Sequence, residues 1–238
     1  MISQEDHDFA ATSHLRYSPV ALSVDQEPLF VRRDGGSSLF KCGDNVACTV
    51  VGYPQRGPQR RDEKPTLHVT YSRSRVPRRR RVRKIGSVLG TKAALRTAQG
   101  MMLTRPMLKT RIRFKVHNIQ HGPSESESAV NATSLALLQS SYDLKDVHTA
   151  VSYTKDHIGN DLFFPAAAAL QNSKKDGRPR YQLHFNVKLD VIWLQVSGPS
   201  TADQTRRVEE VCREAARTIF AEFRLCAAGK LSTTSASA

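Results

Sequence analysis

The side chains best suited to chemistry in this sequence are cations crowded into one segment. Residues 64–124 hold sixteen of the 36 Lys and Arg and none of the 22 Asp and Glu, which more than accounts for the net charge of +14. A stretch of one sign repels itself unless a polyanion or an acidic surface meets it, and a phosphate backbone is the commonest such partner. The candidate contacts are Arg73, Arg75, Arg78, Arg79, Arg80, Arg81, Arg83 and Lys84.

The densest part of this segment, residues 78–81, also fits a nuclear import signal or a flexible basic loop. A second cationic group follows at Arg111, Arg113, Lys115 and His117, which alternate with apolar residues. A period of two predicts a strand with one buried and one charged face. Because charges also keep the outer face of a strand solvated, both groups have a structural interpretation beside the binding one.

Other chemistries find little support. No GxxxxGK[ST], GxGxxG, HExxH or GxSxG motif occurs, and the eight His are scattered. The four cysteines, Cys42, Cys48, Cys212 and Cys226, lie in two distant places without CxxC spacing, which favours buried thiols in a reducing compartment. We therefore expect neither a metal site nor a cofactor.

The elements that must position these cations can be read from the apolar spacing. Two β-rich runs, 38–41 and 46–51, flank the turn residues at 43–45 and predict a hairpin, and residues 66–71 alternate as a strand. Apolar residues recur at helical spacing over 82–103 until Pro106 stops them. Residues 111–119 form the next strand.

The second half alternates in the same way. Small residues over 128–138 predict a helix that packs closely against a sheet. Gly198 and Pro199 lead into a long C-terminal helix, with Ser200 as the expected cap and Asp203 as its capping-box partner. A basic loop is expected at 171–180. The remaining strands are expected at 147–153, 161–164, 181–187 and 191–196.

This order of elements bounds the domains. We expect a flexible N-terminal arm at 1–26, one α/β (α+β) domain at 27–228 and a disordered Ser/Thr/Ala-rich tail at 229–238. No run of 18 apolar residues occurs and the first thirty residues carry acids. Neither secretion nor membrane insertion is therefore expected.

Three stretches resemble the RNase PH family. Residues 33–54, RDGGSSLFKCGDNVACTVVGYP, are similar to the family's DGS turn, short strand, GDT or GNT turn and apolar strand ending in VYGP. Residues 129–137, AVNATSLAL, and 146–152, DVHTAVS, resemble its INAASLAL helix and DLVAAVSVG strand. The resemblance implies an RNase PH-like fold, two βα lobes with mixed sheets flanked by helices.

The family's chemistry is phosphorolysis, in which phosphate attacks the terminal phosphodiester of RNA. By the resemblance, the Thr-Arg pair that grips phosphate in catalytic members falls on Glu125 and Ser126. The two catalytic aspartates fall on Phe164 and Leu170. Asp161, the one carboxylate nearby, is interpreted as a turn residue. A carboxylate repels phosphate and an apolar side chain holds no proton, so we expect no enzyme.

The resemblance therefore implies a non-catalytic subunit of the eukaryotic RNA exosome ring. Such a ring pairs six homologous RNase PH-like subunits, carries cap subunits and threads RNA to a separate nuclease for 3′-5′ processing and degradation, including that of ribosomal RNA. The expected compartments are the nucleus, with the nucleolus, and the cytoplasm. Two alternatives stay open: a phosphate-dependent exoribonuclease with a relocated active site, and a free-standing basic RNA-binding protein.

Overall fold

The fold consists of two sheets and the helices that flank them. The computed structural model describes residues 34–56, 65–73, 80–103 and 110–235, with the backbone alone for 80–87, 174 and 229–235. The strands are β1 (Asp34–Cys42), β2 (Asn45–Gly52), β3 (Gln55–Arg56), β4 (Thr66–Arg73), β5 (Thr110–Gln120), β6 (His148–Lys155), β7 (Asp161–Phe163), β8 (Arg180–Asn186) and β9 (Val191–Ser197). The helices are α1 (Arg80–Met101), α2 (Glu125–Leu138), α3 (Ala167–Lys175) and α4 (Ala202–Ser235).

The first sheet contains the predicted hairpin. β1 and β2 pair antiparallel around Gly43, whose φ of +55° is the left-handed value that glycine adopts at little cost. β5 pairs antiparallel with β2 and β3 on one side and parallel with β4 on the other, so this sheet is mixed. The alternation along β5 is confirmed, since Ile112 and Phe114 are buried while Arg113 and Lys115 are exposed.

The second sheet has the order β7-β6-β8-β9 and is antiparallel throughout. All four predicted strands are confirmed, with small shifts at their ends. The expected basic loop at 171–180 is wrong in its first half, which is the end of α3. This helix is short, and Leu170 and Ser173 are the only buried residues among its described side chains. Two inward positions were too few to show helical periodicity in the sequence.

The start of α4 differs by one residue from the prediction. The N–H of Gln204 donates to Oγ of Thr201 at 3.3 Å, and the N–H of Thr201 donates to Oε1 of Gln204 at 3.1 Å. These reciprocal bonds form a capping box on Thr201 and Gln204. Ser200, the predicted cap, instead bonds the hydroxyl of Tyr181 in β8. Tertiary contact thus decided which of two adjacent hydroxyls caps the helix.

α4 is also longer than expected. Its backbone stays helical to Ser235, within the segment 229–238 for which the sequence predicts a disordered tail; residues 236–238 lie outside the described ranges. No helix in the described part of the chain is long and apolar enough to cross a membrane.

One core joins the two sheets. Phe40 and Ala47 of the first sheet, Val151 and Leu183 of the second and the apolar stripe of α4 form a continuous cluster. The four cysteines are buried free thiols, as predicted. Burial raises the pKa of Cys212 and of Cys42, so both remain protonated at neutral pH.

Helix α2 is the wedge between the sheets and is buried on every side from Glu127 to Leu137. Its small residues allow backbone to approach backbone: a Cβ on Gly36 of β1 would collide with the carbonyl oxygen of Ala136. On the other side, the Asn131 side chain donates to the carbonyl of Ala150 at 2.9 Å and accepts from its N–H at 2.7 Å. The Asn131 side chain therefore satisfies both backbone groups of Ala150 in β6.

Candidate functional site

The N-terminus of α2 is where the resemblance locates a phosphate grip. Ser124 occupies the N-cap without a side-chain capping bond, and Glu125 and Glu127 lie in the first turn. The free N–H groups at a helix start favour a negative charge. In this chain two carboxylates supply that charge from within the protein.

Glu125 is held by a cation from β4. Arg73 donates from its guanidinium to Oε2 of Glu125, and Nδ1 of His121 lies 3.2 Å from Oε1. The side chains of Arg73 and Glu125 are largely buried. Burial, with the nearby charge of Glu125 as a further cause, raises the pKa of Tyr71 to about 12. The phenol therefore stays protonated, and Arg73, a candidate RNA contact, is engaged inside the protein.

Glu127 is fully buried and paired with the second sheet. Its Oε1 accepts from the guanidinium of Arg180 at 3.4 Å and from the amide of Gln182. Its Oε2 accepts from Oγ of Ser126 at 2.9 Å. The side chain of Arg180 is 17% exposed and also donates to the carbonyl of Pro123 at 3.0 Å. Because donors occupy both oxygens, this carboxylate is a structural counter-ion.

Sequence reasoning did not find this cluster. Glu127 and Arg180 are 53 positions apart and Gln182 is 55 from Glu127, so no local spacing links them. The available signals were two acids just before a helix of small apolar residues and an arginine at the end of a basic loop. Each is ordinary by itself, and only the packing of α2 on the second sheet brings the two together.

The positions that the resemblance assigns to the family's aspartates are buried. Phe164 follows β7 with a φ of 46° and is 4% exposed, and its N–H donates to the carbonyl of Ser152 at 2.8 Å. Leu170 is buried in α3. Within the described ranges, no three His, Cys, Asp or Glu side chains lie close enough together to hold a metal ion.

Asp161 is not the turn residue that the sequence predicts. It opens β7 and accepts a hydrogen bond from the hydroxyl of Tyr153, with Nζ of Lys155 at 4.0 Å. Asp156 holds the turn instead, accepting from the N–H of Asn160 at 2.8 Å. Asp161 lines a cavity of about 720 Å³ beside the start of α4, away from the N-terminus of α2.

The remaining candidate RNA contacts fall around the start of α1. Arg75, Arg78 and Arg79 lie outside the described residues. The backbone at the other four is helical, and the first turn of α1 contains no acid. Cations at a helix start oppose its dipole, and an external anion would relieve that repulsion. The four helical candidates are Arg80, Arg81, Arg83 and Lys84.

Comparison with known families decides the fold question. The model for domain 1 of the 3′ exoribonuclease family, RNase PH, matches residues 23–142. The chain belongs to the RNase PH family. The predicted RNase PH-like α/β fold is thereby confirmed. No curated protein matches the sequence.

Three solved structures are similar to this protein over most of the chain. Rice (Oryza sativa) Rrp46 is similar with a TM-score of 0.71 and 19% identity, over 86% of this chain and 93% of the rice chain. An archaeal exosome core gives 0.64 and 14%, over 80% and 82%. The Archaeoglobus fulgidus exosome with RNA bound to the active site gives 0.65 and 14%, over 82% and 85%. At these identities the likeness establishes the fold.

Proposed function

We propose that this chain is a non-catalytic subunit of the RNA exosome core ring, one that supports 3′-5′ RNA processing and degradation by threading RNA to a separate nuclease. The observation that carries the proposal is that the N-terminus of α2 holds two carboxylates with cationic partners inside the protein. Glu125 and Glu127 lie there, and Arg73 and Arg180 from two different sheets neutralise them. Such a helix start has its anions already in place and repels a phosphate.

The second support is the apolar pair at the aspartate positions. Phosphorolysis needs a carboxylate that handles a proton or positions a metal near the attacked bond. Phe164 and Leu170 can do neither. The donors around Glu127 also keep it from acting as a base, since a general base needs a lone pair directed at the substrate.

The proposed partners are homologous RNase PH-like subunits in a hetero-hexameric ring, the cap subunits, a separate nuclease and RNA. The similar structures belong to exosome components: rice Rrp46 and two archaeal exosomes. Within the family, the lack of an RxDGR arm before the core makes the sequence resemble ribosomal RNA-processing protein 46, a non-catalytic ring subunit. The proposed compartments are the nucleus, including the nucleolus, and the cytoplasm.

Copurification tests ring membership. A tagged full-length chain should be isolated with several homologous RNase PH-like subunits in equal amounts. Its elution in size-exclusion chromatography should correspond to the ring. Recovery as a stable monomer without homologous partners would instead support a free-standing basic RNA-binding protein.

A phosphorolysis assay tests the absence of catalysis. A ring in which this chain is the sole family member with an unmodified catalytic region is incubated with RNA and inorganic phosphate. We expect no more nucleoside diphosphate than in a control reaction from which RNA is omitted. Release of nucleoside diphosphates that requires added inorganic phosphate would establish the alternative of an exoribonuclease with a relocated active site.

A further inference from the structure

The outer face of the first sheet carries a row of cations separate from those at the start of α1. Arg111, Arg113 and Lys115 point from β5 to the side opposite the buried Ile112 and Phe114. We call these three the cationic row. Arg113 and Lys115 are exposed and Arg111 is partly so.

The neighbours of the cationic row on β4 are polar and neutral or weakly basic. In the parallel register, Arg111 pairs with Thr66, Arg113 with His68 and Lys115 with Thr70, and all three β4 residues are exposed. The described residues of β3, β4 and β5 include no Asp or Glu. Each cation therefore faces a hydroxyl or an imidazole where a carboxylate would stabilise the sheet.

Some of the exposed cations elsewhere in the described residues form ion pairs. On α4, Arg206 lies 3.9 Å from Asp203, and Arg217 contacts Glu214. The cationic row has no ion pair with any residue that the structure describes. Sites where a local rule of stability is broken without internal compensation are often functional.

The spacing of the row suits a polyanion with a regular repeat. Alternate residues of a strand are roughly 6.6 Å apart, close to the distance between successive phosphates of an extended single strand. Threonine hydroxyls beside the cations can donate to phosphate oxygens. A rigid strand in a sheet also holds the three charges in line, so little ordering of the protein is needed on binding.

We propose that the cationic row of Arg111, Arg113 and Lys115 binds the phosphate backbone of single-stranded RNA without reading its sequence. An acidic protein surface fits less well, because protein interfaces are centred on buried aromatic or apolar anchors. The exposed apolar side chain on this face of β5 is Ile119, at the end of the row. The inference rests on the proposed function for RNA as the polyanion, and it adds a second contact surface.

A salt titration of the isolated full-length chain tests the row. Binding of labelled oligouridylate is followed by fluorescence anisotropy at several salt concentrations for Arg113→Gln/Lys115→Gln. Each lost phosphate contact on a single strand makes the slope of log K against log salt less negative by about 0.7. We therefore expect the slope of the double variant to be less negative by about 1.4. The control is Arg207→Gln/Arg224→Gln, which removes the same charge from exposed positions on α4.

Two results would overturn the inference: an unchanged slope in the row variant, or an equal change of slope in the α4 control. Equal displacement of the oligouridylate by polyglutamate of matched charge would also overturn it, since the row would then be a site for acidic protein. The titration needs no ring. A chain that fails to copurify with homologues but shows the expected change of slope would contradict the proposed function. RNA binding by the cationic row would still be supported.

Discussion

The guanidinium of Arg180, at the start of β8, lies 3.4 Å from Oε1 of Glu127, in the first turn of α2. This pair connects the second sheet to the wedge helix in the region where catalytic relatives would hold phosphate. Glu127 is fully buried and Arg180 largely so, so removing either leaves the other without its charged partner. The consequence is a helix start whose negative charges are balanced from within the protein.

Glu127→Ala should therefore destabilise the fold strongly. It leaves the buried Arg180 without its partner, which costs about 3 kcal/mol. Urea unfolding measures the change, with Glu214→Ala, from an exposed pair on α4, expected to cost less than about 1 kcal/mol. In a double-mutant cycle with Arg180→Met, the double variant should lose clearly less than the two single losses together. Additive losses would mean that the pair is not coupled.

Asn131→Ala should loosen the attachment of β6 to α2. The side chain makes two bonds to the backbone of Ala150 and accepts one from Thr149 Oγ1 at 2.9 Å, all of them buried. Leaving those groups unsatisfied costs about 2 to 3 kcal/mol. The comparison is Asn186→Ala, whose bonds to Asp190 are exposed. Equal midpoints of urea unfolding for the two variants would contradict the assigned role.

Stability should fall as the pH drops below neutral because of His184. Burial, then the nearby charges of His148 and Arg96, lower the pKa of this residue to about 4 from its ordinary 6.5. The unfolded chain takes up the proton first, so stability is complete above about pH 6.5 and is lost towards pH 4, by at most about 3 kcal/mol. Burial lowers the pKa of His148 as well, so His148 also contributes to the loss of stability at low pH.

Unfolding free energies over this pH range test the assignment. His184→Gln removes the titrating ring and should flatten the dependence. His157→Gln, at an exposed position, should leave it unchanged. A wild-type curve that rises on acidification would show that another group dominates.

Replacing Arg78, Arg79, Arg80 and Arg81 by Glu should weaken RNA binding by the assembled ring and flatten its salt dependence, because phosphate contacts release counterions. Filter binding at several salt concentrations measures both effects. The cationic row of β5 is untouched in this variant, so the two losses should add when combined. Unchanged binding would mean that the run serves protein contacts or import.

Features that depend on neighbouring residues were predicted correctly from the sequence. Gly43 and the alternation along β5 could be predicted because a turn and a strand face depend on neighbours a few positions away. The small residues of α2 likewise predicted a closely packed helix. In contrast, α3 was missed because only two of its described side chains, Leu170 and Ser173, are buried. The capping box lies on Thr201 because Tyr181 engages Ser200.

The sequence by itself determined most of the elements and their order, the buried cysteines and the motif stretches that led to the RNase PH family, since these depend on local periodicity and residue type. Only the tertiary structure decided what the charged side chains near α2 do. Arg73 was predicted as an RNA contact and contacts Glu125. Arg180 was predicted at the end of a basic loop, and it opens β8 and pairs with Glu127. The physical reason is that an ion pair forms between residues about fifty positions apart only after both sheets pack against the same helix.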